Sequence, residues 1–325
     1  MIDIILLEKL FSKLGNIFDK EKEINVLMLG HRGVGKTTIL ASLYYEFSKN
    51  LFNKSISLRA DSNTRENLSK ASTDLKEQLQ LDDFIFEHKL KGTTGINRYN
   101  FYLEDKEKTK IVDLKFTDIA GGDVIGNTDK IGVEIKKSDI ILIPIDATAM
   151  IEKDEEGVNY HDRINKPEEI EILLGEIIQT DKEKMVIFIP VKSESYFEKL
   201  SDLERIFNQK YKSILDKLKN KDNILTLYIP IKTIGDIKFK EIQKKEKTPL
   251  YIFKPLKFDA SYNPEYVEQI FILILLFTFA QKYKNAKFWE TKLKKDLEEI
   301  YKEYRKELKD DIVRYKSNSR ILNLK

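Results

Sequence analysis

Cysteine is absent from the 325 residues, which excludes disulfides, thiolate nucleophiles and cysteine-based zinc sites. Histidine is scarce: His31, His88 and His161 stand far apart with no carboxylate at ligand spacing, which argues against a histidine metal centre. An excess of one charge is missing too. Lys and Arg number 57 against 54 Asp and Glu, a net +3, so the balance gives no reason to propose wholesale nucleic-acid binding. The longest apolar run, residues 270–280, is about half of the roughly 20 residues that cross a bilayer and reads as a buried core helix. The start Met1-Ile2-Asp3 lacks a basic leader, and no small-residue cleavage site follows, so a cytoplasmic location is expected. There is no internal repeat. What is present, 41% hydrophobic and 34% charged residues, fills a core and solvates a surface, in one large domain or two ordinary ones.

Against that background one segment stands out. Gly30-His31-Arg32-Gly33-Val34-Gly35-Lys36-Thr37 has the form G-x-x-x-x-G-K-[ST], follows the apolar run 24–29, and leads into Thr38 and the first turns of a helix. Strand, glycine loop and helix together predict a phosphate cradle. Gly30, Gly33, Val34 and Gly35 turn backbone N–H groups inward, and Thr37 and Thr38 open the helix whose N-terminus favours an anion. Lys36 is expected to reach the β- and γ-phosphates and the Thr37 hydroxyl to hold Mg²⁺. A second loop of this kind is not found.

Continuous apolar runs at 140–145, 185–189 and 224–229 read as strands buried on both faces. Helical patterns at 167–179 and 196–218 separate them, predicting an α/β P-loop sandwich around a mainly parallel sheet. Strands at 96–103 and 111–117 read as an antiparallel hairpin at the sheet edge. The sequence divides into an amphipathic helix in residues 1–23, a nucleotide domain at 24–284 with an insert at about 50–91, and a charged helix in 285–325. The insert carries a helical pattern near 65–79, residues 238–247 read as a charged loop, and 266–284 as an apolar helix. In the last helix Trp289, Leu293, Leu297, Ile300, Tyr304, Leu308 and Ile312 form an apolar row, open to capping the core, self-association or a protein partner. The first helix is expected to dock on the domain, with partner or peripheral membrane contact as the alternatives.

Four further segments flank predicted strands, the last two of them at the strand ends where an open α/β sheet binds its ligands. These are Gly92-Thr93-Thr94-Gly95 before one hairpin strand, Asp118-Ile119-Ala120-Gly121 after the other, Val191-Lys192-Ser193-Glu194, and Ile231-Lys232-Thr233-Ile234-Gly235. In this order the motifs resemble the Ras-like, translation-factor-related (TRAFAC-type) P-loop GTPases over about residues 24–284, and the layout resembles the bacterial double-GTPase branch within them. That resemblance implies GTP/GDP and Mg²⁺ as ligands, and a switch in signalling or conflict systems. It implies that Thr37, Asp118 and Thr94 (preferred over Thr93) surround the metal, and that Gly121 senses the γ-phosphate. Lys192 would lie along the base, Glu194 would accept from guanine N1 and N2, and backbone N–H groups near Lys232 and Thr233 would read O6.

The sequence departs from that pattern in ways that bear on turnover. Val191 stands for the usual Asn, and Glu194 is one methylene longer than Asp. Gly122 stands where a water-orienting glutamine is usual, leaving Asp123 as the next candidate. Arg32 fills a position often occupied by Gly, where it either obstructs an arginine finger or itself stabilises developing charge. The expected activity is therefore slow GTP hydrolysis; the alternatives are a scaffold that binds GTP with little turnover, or an ATPase or small-molecule kinase. Asp146, ending a buried strand, reads as a structural cap.

Overall fold

The computed structural model describes residues 23–49, 56–81, 84–85, 96–105, 108, 110–119, 128–245, 248–257, 260–286 and 291–324. In chain order the elements are β1 (Glu23–Met28), α1 (Lys36–Lys49), β2 (Ile56–Ala60), α2 (Ser62–Gln78), β3 (Phe84–Ile85), β4 (Ile96–Asp105) and β5 (Lys110–Ile119). Next come α3 (Thr128–Lys137), β6 (Ile140–Asp146), α4 (Ala147–Ile151), α5 (His161–Ile164), α6 (Pro167–Ile178) and β7 (Lys184–Val191). After a 3₁₀ turn (Glu194–Lys199) follow α7 (Leu200–Lys210), α8 (Lys212–Lys219), β8 (Ile224–Tyr228), β9 (Ile237–Lys245) and β10 (Thr248–Pro255). The series closes with α9 (Val267–Asn285), α10 (Thr291–Lys306) and β11 (Arg314–Ser317).

Eight strands form the main sheet in the order β11-β8-β7-β6-β1-β5-β4-β2. Its centre, from β5 through β1, β6 and β7 to β8, is parallel; β4 and β11 run antiparallel to it, and β2 pairs antiparallel with β4. The apolar runs are continuous because each strand feeds two cores by alternate residues. Ile140 and Leu142 of β6 join Val26, Met28 and Ile187 under α1 and α9. Ile141 and Ile143 join Leu27, Val186 and Phe188 under α3, α6, α7 and α8. Helix α9 is buried from Gln269 through Ala280, which explains its lack of a polar face. No helix among the described residues is long and apolar enough to cross a membrane. Lys184 is wholly buried, and its ammonium ends α3 by donating to the carbonyls of Ile135 (3.0 Å), Lys136 (3.1 Å) and Ser138. Burial lowers its pKa to about 8, with Lys182 nearby acting in the same direction.

Several expectations are corrected. The sheet edge is β2 rather than the β4–β5 hairpin, because the insert returns a strand onto β4. The helix expected over 196–218 is a 3₁₀ turn and two helices that break at Tyr211, which is fully buried and stacks on Phe207 at 5.0 Å. Residues 238–245 of the expected charged loop lie in strand β9, which pairs with β10, and β10 pairs in turn with β3 in a second sheet. Ile237, Phe239 and Ile242 give that strand an inward face against α2, packing with Leu75, Tyr251 and Phe253. The helix expected to run to about residue 315 stops at Lys306, after which the chain turns and adds β11 to the edge of β8. Tyr304, Leu308 and Ile312 are buried in the same core as α9, so this part of the apolar row caps the core, the first of the three roles open to it. Trp289, the side chains of Leu293, Leu297 and Ile300, and the helix expected in 1–22 lie outside the described residues.

Leu308→Ala is expected to lower the unfolding free energy by about 2–4 kcal/mol. Urea unfolding should move as one transition, because Leu308 shares a core with the sheet. A separate early transition for the C-terminal segment would contradict this packing.

Candidate nucleotide-binding site

The loop Gly30–Thr37 leaves the C-terminal end of β1, the one strand of the sheet with parallel neighbours on both sides that also leads directly into α1. Leu29 N donates to Leu142 O at 2.8 Å, fixing the loop's departure point. Gly33 and Gly35 have φ of +86° and +103°, a region that favours glycine. At Gly35 a Cβ would also lie 3.1 Å from Val191 Cγ2, so the loop and the end of β7 approach to the limit set by a hydrogen atom. Val34 is buried, whereas Arg32 is exposed at the loop's crest.

Lys36 folds back into this loop. Its ammonium donates to Gly30 O at 2.6 Å and His31 O at 3.1 Å, and lies 3.6 Å from Asp118 Oδ1. Burial lowers the Lys36 pKa, and the carboxylate of Asp118 opposes that effect. Asp118 is wholly buried on β5, beside Met28 of β1 and opposite Asn97 of β4. Burial raises the pKa of Tyr99 on β4, and the charge of Asp118 raises it further. Thr37 and Asp118 thus supply hard oxygen donors next to the loop, a set that suits Mg²⁺, which takes few protein oxygens and completes its shell with phosphate and water. Thr94, Gly121, Gly122 and Asp123 lie outside the described residues.

At the other end of the site Lys192 has φ of +55°, and its ammonium forms an ion pair with Asp146 and approaches Gly33 O at 3.4 Å. Glu194 Oε1 accepts from Thr233 N at 2.7 Å, Ile234 N at 3.0 Å and Thr233 Oγ1 at 3.3 Å. Glu194 Oε2 is buried with no hydrogen-bond partner. Burial raises the Glu194 pKa against those hydrogen bonds. The segment 231–235 differs from its expected role. Lys232 N donates to Glu265 O, and its ammonium pairs with Glu265 at 3.0 Å, so this side chain turns to the strap 262–265. The N–H groups of Lys232, Thr233 and Ile234 are therefore all engaged by carboxylate or carbonyl groups of the chain itself. Thr38 is buried; Ser42 Oγ, one turn further along α1, lies 2.8 Å from the carbonyl oxygens of both Thr38 and Thr233.

The family model for Double-GTPase 2 matches residues 24–225, well over half of the chain. The chain belongs to the Double-GTPase 2 family. No curated protein sequence matches it. Among solved structures, the Saccharomyces cerevisiae Ski7 GTPase-like domain bound to GDP and inorganic phosphate aligns at TM-score 0.42 and 14% identity, over 68% of this chain and 45% of that one. The same domain bound to GTP aligns at TM-score 0.42 and 15% identity, over 69% and 46%. The chain thus spans less than half the length of the Ski7 structures it aligns with.

This Double-GTPase 2 site also contains residues that motif spacing did not bring forward. Asp146 caps α4 through Ala149 N at 2.9 Å, the structural role its place at the end of a buried strand suggested, and also holds Lys192. Asn165 accepts from Asp146 N at 2.7 Å and donates to Asp146 O at 3.0 Å. Its amide lies 3.0 Å from His161 Nδ1. His31 Nε2 reaches Glu169 at 3.0 Å, tying the loop to the first turn of α6; burial lowers the His31 pKa. No sequence signal marks the pairs Asp146–Asn165 and His31–Glu169, which lie 19 and 138 residues apart.

Burial lowers the His161 pKa to about 4, with Lys210 acting in the same direction. A histidine whose folded pKa lies below its unfolded value of about 6.5 leaves stability intact above that pH, and stability is lost as pH falls toward 4. The expected loss between pH 7 and pH 4 is roughly 2–3 kcal/mol. Urea titrations of wild type and His161→Phe should show a shallower acid limb in the variant; identical limbs would mean that His161 does not titrate in this window.

Proposed function

We propose that the chain is a GTP-binding molecular switch that hydrolyses GTP slowly with Mg²⁺. The observation that carries this reading is the pairing of two unlike ends across one site. At one end an ammonium is held inside a glycine loop beside Asp118; at the other, a buried carboxylate keeps one oxygen without a partner. Phosphate oxygens offer Lys36 charged acceptors in place of the neutral carbonyls of Gly30 and His31. The Glu194 Oε2 atom is suited to accept from the N1–H and N2–H edge of guanine, whereas adenine presents a lone pair at N1 and repels it. Thr37 and Asp118 would hold Mg²⁺, which supplies charge neutralisation between the β- and γ-phosphates.

Turnover is expected to be slow because Gly122 carries no side chain to orient water. Arg32, exposed over the loop, and Asp123 are the candidates to act on the γ-phosphate, and Thr94 and Gly121 to sense it. The same Gly122 favours a second reading, a scaffold that binds GTP with little turnover. A role in bacterial signalling or conflict is proposed from the double-GTPase resemblance. Output to a protein partner, or to a second copy, is assigned to the helix expected in 1–23 and to the exposed side of α10.

Calorimetric titration in Mg²⁺ buffer is expected to give GTP and GDP affinities well above that of ATP. Glu194→Ala should weaken GTP by about 10- to 100-fold and narrow the gap to ATP. Tighter binding of ATP than GTP by the wild type would overturn the guanine reading. Single-turnover phosphate release from pre-bound GTP distinguishes slow hydrolysis, with a measurable rate that Arg32→Ala alters, from the scaffold, in which release stays at the uncatalysed level.

A further inference from the structure

The structure assigns to Asp146 a positioning role in nucleotide retention: its carboxylate fixes the Lys192 ammonium over the glycine loop and so joins the base end of the site to the phosphate end. The inference rests on the nucleotide reading above. Asp146 and Lys192 are both buried, at 1% and 8% exposure, and Lys192 Nζ bridges Asp146 Oδ2 and the carbonyl of Gly33. Lys192 adopts φ of +55°, a conformation costly for a side chain with a Cβ, and one that persists only where the surroundings enforce it. The enforcing contacts are present. Thr148 Oγ1 lies 3.4 Å from Lys192 O, Ser193 Oγ donates to Pro190 O at 2.9 Å, and Val191 packs under Gly35.

Asp146 is itself held from two sides. Asn165 clamps its backbone N–H and carbonyl reciprocally, and Ala149 N donates to Oδ1, which leaves Oδ2 aimed at the ammonium. Val191 has no hydrogen-bonding side chain, so within this loop the polar tie to Gly33 runs through Lys192, and the direction of Lys192 runs through Asp146. A cap alone would need only a neutral acceptor such as Asn or Ser. A carboxylate in a buried pair is costly unless its partner is present, and removing either partner leaves the other charge uncompensated.

The test uses the full chain and the release of fluorescent mant-GDP and mant-GTP. Asp146→Asn keeps the capping oxygen for Ala149 and removes the charge. Release of both nucleotides is expected to quicken by about 10- to 100-fold. Lys192→Met should show a similar change, and the double variant should lose little more than either single one, because each removes the same tie. A cap without a positioning role would leave D146N release unchanged, or make the two losses add; either result overturns the inference. Should D146N fail to fold, Asp146→Ser, which also caps, gives the same comparison. A wild type that binds no mant-nucleotide overturns the nucleotide reading and this inference with it, whereas wild-type binding with unaltered D146N release overturns this inference alone.

Discussion

An ammonium held by two carbonyls and a carboxylate is the constraint around which the glycine-loop end of this domain is built. Moving a lysine charge out of water costs several kcal/mol, and here that cost is offset by Gly30 O, His31 O and the carboxylate of Asp118. The acceptors come from two different strand ends, so the position of Lys36 ties the loop after β1 to the end of β5. A neutral carbonyl is a weaker acceptor for an ammonium than a phosphate oxygen. The loop is therefore closed by interactions that an anion can replace, and Asp118 stands where it meets the consequences of that exchange.

The Glu194 end of the site is ordered by the opposite device, a carboxylate oxygen that accepts from two backbone N–H groups and a hydroxyl. Glu194 Oε1 draws Thr233 and Ile234 toward the start of the 3₁₀ turn, and the strap 262–265 holds the same loop from behind through Lys232 and Gly235. Gly235 permits this because its φ is +111° and a Cβ would come within 2.5 Å of Asn263 O. Ser42 and Tyr262 then connect the strap to α1 through hydroxyls 3.0 Å apart. Helix α1 thus receives the glycine loop at its start and the loop 231–235 within its second turn. The two loops are members of a single buried polar network, which is sensitive to the loss of any one partner.

How much of this is legible in the sequence follows from how local each signal is. The glycine loop is read directly, because its conformation depends on adjacent residues. The strands β6, β7 and β8 are read because burial on two faces leaves a continuous apolar run. Strand β9 reads as a charged loop because Lys238, Lys240 and Lys244 face out between Ile237, Phe239 and Ile242, and a shift in register beside Ile252 blurs the alternation further. The terminal helix was read too long because Leu308 and Ile312 keep helical spacing although the chain turns after Lys306. The fate of Lys232 was not legible: its position after β8 suggests base contact, and Glu265, which takes it, lies 33 residues on.

The C-terminal segment enters this network rather than lying beside it. Lys232 Nζ sits 5.0 Å from the centre of the Phe197 ring, Phe197 stacks on Tyr266 at 5.2 Å, and Lys309 Nζ covers Tyr266 at 4.6 Å. Cation, ring, ring and cation thus alternate from the base loop to the turn that follows α10. Gln269 adds two hydrogen bonds to the same turn, accepting from Lys309 N at 2.9 Å and donating to Glu307 O at 3.3 Å. Tyr266 holds its place with φ of +68° at the start of α9, so the stack is fixed by the long core helix rather than by surface side chains alone. The turn that leads from α10 to β11 therefore also braces the loop 231–235 beside Glu194, which depends on a segment that motif reading places outside the nucleotide domain.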